Sequence, residues 1–297
     1  MKKIMKAVLA VAIALPVLNS CKSGEKIGSI KKAPVRLEQA WATDAVFKTP
    51  ESVLYDAQRN VLYVSNINNR SQATPDGDGF ISRLNSNGTV EQLFWVSGLN
   101  DPKGMALYNG VLYVADINQV VAIASQTGSV IARYEAEGAQ GLNDITVDES
   151  GNLYISDKEG KKIYQLRNGR LSLWLDNTQG QEPNGLVAEN NQLLTNFSTN
   201  GTVKKIDLNN KTVTDWLNGI PSADGLVSDG RGNYFISNWN GEIYYATGLG
   251  NIWLVLGTKD QKINSADIGM STRDQTLFVP TFFDNRVVAY RIMQQNN

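Results

Sequence analysis

Short runs of alternating apolar and polar residues, each ending at turn-forming residues, follow one another along most of the chain. Runs such as Val61–Asn66 and Asn152–Asp157 are rich in β-branched and aromatic residues, a composition typical of strands. Helical periodicity is absent outside the first twenty residues. The pattern therefore predicts an all-β domain built from many short strands.

One phrase of this pattern recurs six times. In each copy a polar residue opens a short apolar strand, a turn follows, and a second strand reads Leu-Tyr-Val-Ser-Asn or similar. Successive copies begin 40 to 52 residues apart, which leaves room for four short strands in each. Four-stranded units repeated in a ring form a β-propeller, so six copies predict six blades. The opening residues are Glu51, Lys103, Asn143, Asn184, Asp224 and Asp267.

The two ends of this region predict how the ring closes. After Thr281 only one further strand fits, Arg286 to Ile292, so the sixth blade lacks its outer strand. The segment Val35 to Trp41 resembles the outer strands of the other blades and would supply it. Residues 35–297 are therefore predicted to form one propeller in which the N-terminal strand pairs with the C-terminal blade, leaving no open sheet edge at the seam. The outer-strand tryptophans are predicted to be structural: Trp95, Trp174 and Trp216.

The first residues follow a different pattern. Lysines precede an apolar run, so residues 1–20 are predicted to be a signal peptide, and Leu18–Cys21 resembles the bacterial lipobox. Residues 21–34 would be the lipidated Cys21 and a tether. The resemblance implies an exported bacterial lipoprotein, anchored to a membrane through Cys21 on the periplasmic face or the cell surface. The alternative is an ordinary cleaved signal that leaves a free thiol.

Composition narrows the chemistry. The chain has no histidine, which excludes a Ser-His-Asp triad and an imidazole zinc site, and Cys21 is its single cysteine. The chain carries 28 basic and 29 acidic residues and has no long basic block, so a nucleic-acid partner is not expected. Any reaction must therefore use carboxylates, amides, lysine, tyrosine, hydroxyls or a hard metal ion held by oxygen.

The six opening residues would line one mouth of the central channel, where unpaired charges are costly to bury. A column of water would compensate them, and so would a cation held by converging oxygens. Two carboxylates and two amides come from four separate blades, and such oxygen donors suit a hard ion such as calcium. From spacing alone both interpretations remain open.

The whole domain resembles the senescence marker protein, gluconolactonase and luciferin-regenerating enzyme family of six-bladed propellers. That family binds a divalent ion through a Glu of the first blade, an Asn in Asn-Asp, an Asn in Asn-Gly and an Asp in Asp-Gly, and this chain has them in the same order. The resemblance implies that Glu51, Asn143, Asn184 and Asp224 bind the metal and that Asp224 is the catalytic base. The expected ion is Ca²⁺, with Zn²⁺, Mg²⁺ or Mn²⁺ as alternatives. A small-molecule lactone or ester would be the substrate.

Other positions bear on the substrate. Gly141 stands where the sugar-lactone enzymes often have an arginine, so gluconolactone itself is in question. Lys103 would pair with Asp267, remain solvated, or bind an acidic group of the substrate. The Asx residues that end the second strands would cap turns or, as for Asn196, support the site. Asn196 and Asp267 are also candidate substrate-binding residues. The aromatic residues that follow these strands, Phe197, Trp239 and Phe282, would wall a pocket, with Trp239 contacting the substrate.

The leading hypothesis is a metal-dependent hydrolase of a lactone or related ester. The alternative is a non-catalytic propeller similar to NHL-repeat proteins, with a structural metal and a surface that binds a protein or glycan, because a fold does not determine a function. A strictosidine-synthase-like lyase is a further alternative, but it gives no role to the four oxygen donors.

Overall fold

The computed structural model describes residues 32–68, 75–176 and 178–295. The predicted signal peptide, Cys21 and the tether as far as residue 31 lie outside these residues. Residues 33–297 form one compact unit. No helix within the described ranges is both long and apolar enough to cross a membrane.

Six antiparallel sheets of four strands make up the unit, which confirms the predicted six-bladed, all-β propeller. Blade 1 consists of β2 (Pro50–Asp56), β3 (Val61–Asn66), β4 (Gly79–Asn85) and β5 (Val90–Leu99). Blade 2 consists of β6 (Pro102–Tyr108), β7 (Val111–Asp116), β8 (Gln119–Ala124) and β9 (Val130–Glu135). Blade 3 consists of β10 (Leu142–Val147), β11 (Leu153–Asp157), β12 (Lys162–Arg167) and β13 (Arg170–Leu175). Blade 4 consists of β14 (Pro183–Glu189), β15 (Gln192–Phe197), β16 (Thr202–Asp207) and β17 (Val213–Leu217). Blade 5 consists of β18 (Ala223–Ser228), β19 (Asn233–Asn238), β20 (Glu242–Thr247) and β21 (Ile252–Gly257). Blade 6 consists of β22 (Gly269–Ser271), β23 (Thr276–Pro280) and β24 (Val287–Gln294), with β1 (Val35–Ala42) as its outer strand. Two short 3-10 helices, Lys259–Gln261 and Phe282–Asp284, complete the elements described.

The seam lies in blade 6, as predicted. Strand β1 pairs antiparallel with β24 along its length, from Val35 opposite Gln294 to Ala42 opposite Val288, with one irregularity at Gln39. Val35 is buried in the core shared by blades 5 and 6. The first and last strands of the propeller thus belong to one sheet. An isolated parallel bridge between Asp267, just before β22, and Ser52 links blade 6 to blade 1.

The hydrophobic core is divided into clusters that lie between neighbouring blades. One cluster, for example, joins Tyr154 and Trp174 of blade 3 to Leu186 and Leu193 of blade 4. The ring of Trp174 meets that of Tyr154 edge-on, with centroids 5.0 Å apart. Burying each such side chain contributes about 1.5–3 kcal/mol, so the fold is stabilised at its blade interfaces rather than in one central core. The centre is left as a channel.

A break in pairing recurs at the start of the innermost strands. The register between the first two strands of a blade shifts just after Pro50, Pro102, Leu142, Pro183 and Ala223. Such bulges redirect a side chain and leave a backbone group without its ladder partner. Each shift falls on one of the polar opening residues, so the bulge is what separates these residues from the regular strand.

Candidate functional site

One cavity of about 380 Å³ collects most of the polar opening residues at one mouth of the channel. All four predicted metal ligands line it, and each is at least nine-tenths buried. Lys103 lines the same cavity. The four oxygen-donor side chains come from blades 1, 3, 4 and 5: Glu51, Asn143, Asn184 and Asp224.

Side chains of the second strand hold the backbone at four of the five bulges. Ser65 Oγ accepts the Ser52 N–H at 3.0 Å, and Ser156 Oγ accepts the Asp144 N–H at 2.9 Å. In blade 5, Ser237 Oγ accepts the Gly225 N–H at 2.8 Å. In blade 4, Asn196 Oδ1 accepts the Gly185 N–H at 3.0 Å. Polar side chains at the end of the second strand therefore satisfy the backbone donor next to the site residue in blades 1, 3, 4 and 5.

The carboxyl groups of Glu51 and Asp224 lie in an environment that resists their charge. Burial raises the pKa of Glu51 well above its usual range, and the charge of Asp224 raises that pKa further. Burial raises the pKa of Asp224 to about 6, against the opposing effects of Lys158, Lys103 and a hydrogen bond from Asn184. Glu51 Oε2 is buried without a hydrogen-bond partner. An unpartnered buried carboxylate oxygen is costly, so a cation bound next to Glu51 Oε2 would stabilise the site.

The donor set fits a hard cation. Two carboxylates and two side-chain amides offer only oxygen, which Ca²⁺ and similar ions prefer over the nitrogen and sulfur ligands typical of zinc. No group of three or more His, Cys, Asp or Glu side chains suited to a metal occurs in the part of the chain that the structure describes. The four residues contain only two side chains of those types, so amide oxygens would have to complete the coordination.

Asp267 does not lie where the sequence pattern suggested. It lines the central channel rather than the mouth cavity, and its carboxylate accepts the Ser52 Oγ–H at 2.5 Å. Its backbone N–H donates to the Glu51 carbonyl at 2.9 Å, which draws this residue into the junction between blades 6 and 1. Burial raises the pKa of Asp267 to about 7. The expected ring of six polar residues is therefore a ring of five, with Asp267 on the channel side of it.

Of the three alternatives for Lys103, the ion pair with Asp267 is wrong. The carboxylate of Asp267 is engaged by Ser52, and none of the ion pairs among the described residues includes Lys103. Lys103 is also 9% exposed, so it is not a solvated side chain. It lies buried in the mouth cavity, where its charge lowers the pKa of both Glu51 and Asp224.

Four polar residues of the cavity were not predicted from the sequence. Lys158 follows β11 in the turn above blade 3, and its backbone N–H donates to the Gly141 carbonyl at 3.0 Å. A side chain at position 141 would overlap the Glu159 carboxylate, so the glycine leaves this loop room to lie close. Only their position in the sequence could have indicated these residues, because each lies in a loop at the mouth end of a strand. The four are Lys158, Glu182, Ser198 and Ser222.

An aromatic wall closes part of the cavity. Trp239 and Phe282 both line it and meet edge-on, with ring centroids 4.8 Å apart. Phe282 has a φ of 38°, an unfavourable backbone conformation for a bulky residue, so packing against Trp239 holds a strained turn in place. Phe197 is fully buried and does not line the cavity. Two of the three aromatic residues expected at the mouth are therefore there.

Buried Asn196 lies behind the site rather than in it. Its side chain accepts the Gly185 N–H at 3.0 Å and donates to the Asp224 carbonyl at 2.6 Å. The contact is to the backbone that carries a candidate ligand, so Asn196 supports the site and does not line the cavity. Asn238 instead accepts the Glu242 N–H at 3.1 Å, which is the turn-capping role expected for most residues at this position.

No family model and no curated protein matches this sequence. Among solved structures, the chain is similar to a candidate gluconolactonase, at 16% identity and a TM-score of 0.67 over 90% of this chain and 96% of that one. It is also similar to a catalytically inactive virginiamycin B lyase variant from Staphylococcus aureus with quinupristin, at 13% identity and a TM-score of 0.60 over 86% of this chain and 99% of that one. A streptogramin B lyase matches at 13% identity and a TM-score of 0.60, over 88% and 100% of the two chains. At such identities the likeness shows the propeller fold alone.

Proposed function

We propose that this chain is a metal-dependent hydrolase of a lactone or related ester, with a divalent cation, Ca²⁺ first among the candidates, held by Glu51, Asn143, Asn184 and Asp224. The observation that carries the proposal is that these four oxygen donors, from four blades, line one buried cavity. The orphaned Oε2 atom of Glu51 supports the need for a cation. The fold shared with a candidate gluconolactonase is consistent with the same class of reaction.

Asp224 is proposed as the general base. When bound, a divalent cation would polarise the substrate carbonyl, acidify a water molecule and stabilise developing negative charge. The Asp224 carboxylate would act as the general base that takes the proton of the attacking water. Trp239 and Phe282 would cover the reacting group and exclude bulk water.

A lyase reaction like that of the other two structures is less well supported. The virginiamycin B lyase variant in the comparison is inactive and has a histidine replaced by alanine. This chain has no histidine, so a mechanism that depends on one cannot operate here. The cavity offers carboxylates, amides and lysines instead.

The hydrolase proposal is tested with purified protein, a panel of lactones and aryl esters, and each of Ca²⁺, Zn²⁺, Mg²⁺ and Mn²⁺ against a chelator. We expect hydrolysis that depends on one of these ions and a loss of about 100-fold or more in kcat for Asp224→Asn. Asp260→Asn, an exposed aspartate far along the chain in a 3-10 helix, is the matched control and should behave like the wild type. Hydrolysis that persists in chelator and in Asp224→Asn would show that the proposal is wrong.

A bound, stabilising ion without hydrolysis of any panel member would favour the non-catalytic propeller instead. Elemental analysis and a metal titration of the melting temperature separate this outcome from the absence of a metal site.

Export and lipid attachment at Cys21 complete the proposal. The support is the charged and apolar pattern of residues 1–20 and the position of Cys21 directly after it. Metabolic labelling with a fatty acid should mark the wild type and not Cys21→Ser, and the variant should be released from the membrane fraction. A wild-type protein that takes up no label would contradict this part of the proposal.

A further inference from the structure

Two ammonium groups line the mouth cavity beside its carboxylates. Lys103 opens the innermost strand of blade 2 and is 9% exposed, and Lys158 is half-buried in the loop that follows β11. Both lysines line the same cavity as the four proposed metal ligands. The two lysines therefore approach the candidate metal position from neighbouring blades, 2 and 3.

Neither ammonium group has a direct partner within the described part of the chain. Among the described residues, no hydrogen bond or ion pair involves the side chain of Lys103 or Lys158. A lysine that is nine-tenths buried is costly unless its charge is matched, so Lys103 in particular requires an anionic partner. The carboxylates that line the same cavity are close to the two lysines but form no ion pair with them.

The net charge that the cavity would have with a divalent cation bound also favours an anionic ligand. Three carboxylates line the cavity, from Glu51, Glu182 and Asp224, together with the two lysines. A divalent cation at the four oxygen donors would leave one net positive charge in a partly enclosed space, where Coulomb interactions are stronger than in water. Binding an anion there would restore neutrality.

The position of Lys158 is built into the fold. Its backbone N–H bonds the Gly141 carbonyl, and the absence of a side chain at Gly141 lets the Glu159 carboxylate lie over that residue. The loop is thereby held down at the rim of the cavity, with Glu159 outside it and Lys158 among the lining residues. A flexible solvated lysine would need no such support.

From these observations we infer that the substrate carries an anionic oxygen group, a carboxylate or a phosphate, which Lys103 and Lys158 bind while the ester carbonyl lies toward Asp224. This inference rests on the proposed hydrolase function. It assigns Lys158 as a specificity residue and separates the substrate class from uncharged sugar lactones. The apolar body of the substrate would lie against Trp239 and Phe282.

The test compares a γ-butyrolactone bearing a carboxylate on the carbon next to the ring oxygen with its uncharged carboxamide. We expect the wild type with its metal to prefer the carboxylate in kcat/KM by about tenfold to a hundredfold, as for a charge-assisted hydrogen bond. Lys158→Gln should remove most of this preference, and Lys158→Arg should restore part of it. Lys161→Gln removes an exposed charge in the same turn and should keep the preference. A matching lactone phosphate monoester identifies which of the two anions is favoured.

A wild type that does not discriminate between the two probes, or a Lys158→Gln variant that keeps the preference, overturns the inference. Elemental analysis of every variant shows whether its metal content is unchanged. If no lactone is hydrolysed, the proposed function fails, and the inference is then decided by calorimetric binding of the corresponding lactam carboxylate and lactam carboxamide. Tighter binding of the lactam carboxylate that is lost in Lys158→Gln would support an anion site without hydrolysis.

Discussion

The side-chain amide of Asn196 donates a hydrogen bond of 2.6 Å to the backbone carbonyl of Asp224, and this bond joins blade 4 to blade 5 directly behind the candidate base. The same side chain accepts the Gly185 N–H, next to Asn184, at 3.0 Å. One fully buried asparagine thus positions the backbone at two of the four proposed ligands.

Replacing Asn196 by alanine should therefore damage both stability and the site. Two buried backbone groups would lose their partner, at about 1–3 kcal/mol each, and metal affinity should fall about 10-fold to 100-fold because residues behind a ligand orient it. Urea unfolding and a metal titration measure the two effects. Asn209→Ala, at an exposed turn of the same blade, is the control and should change neither. Unchanged metal affinity in Asn196→Ala would contradict the positioning role.

Close approach of blades 4 and 5 makes Gly185 sensitive to a single methyl group. A Cβ there would overlap the Asp224 carbonyl oxygen and lie 2.8 Å from both Asn196 Nδ2 and the Leu226 nitrogen. Because these are mostly backbone atoms, Gly185→Ala should cost about 1–3 kcal/mol in the free energy of unfolding and displace Asp224. Gly257→Ala, where a Cβ meets nothing within 4 Å, should be neutral or slightly stabilising. Equal unfolding midpoints for the two variants would rule out this steric reason.

Without a divalent cation, stability should fall as the pH rises through the range from about 4 to 7. Burial raises the folded-state pKa of Asp224 to about 6 and of Asp267 to about 7, so the folded chain binds these protons more tightly than the unfolded chain does. Their contribution is complete below the unfolded pKa of about 4 and is lost as pH passes the folded value, by roughly 3 to 4 kcal/mol for each group.

Urea unfolding at several pH values in a chelator measures this dependence. Asp267→Asn removes one of the buried acids whose pKa is raised, so its curve should fall less steeply than that of the wild type. Saturating Ca²⁺ should flatten the wild-type curve, because the cation favours ionised Asp224. Parallel curves for wild type and Asp267→Asn would mean that Asp267 does not titrate as its burial implies.

Strand β1 should be essential to the ring. It supplies the outer strand of blade 6 and buries Val35 against the core, so a protein that begins at residue 44 would expose the edge of β24. We expect this truncation to lose several kcal/mol of stability and to aggregate through the open edge. A protein that begins at residue 32 retains β1 and should unfold like the longer chain. Light scattering and urea unfolding compare the two, and equal stability would show that closure by β1 is dispensable.

The sequence by itself was sufficient for the architecture, because the number of blades follows from a repeat of 40 to 52 residues and closure follows from counting strands after Thr281. It also predicted which four side chains, Glu51, Asn143, Asn184 and Asp224, would share a cavity. Both inferences rest on local patterns that repeat at equivalent positions, and equivalent positions in a propeller face the same channel.

Tertiary structure alone decided what each position does within the ring. Asp267 occupies the same place in the repeat as Asp224, yet its hydrogen bond from Ser52 of the neighbouring blade turns it toward the channel. Lys158 belongs to no repeated motif and enters the cavity because its loop bonds Gly141. A repeat determines where a backbone position lies, but contacts between blades determine where its side chain points, and those contacts are distant in sequence.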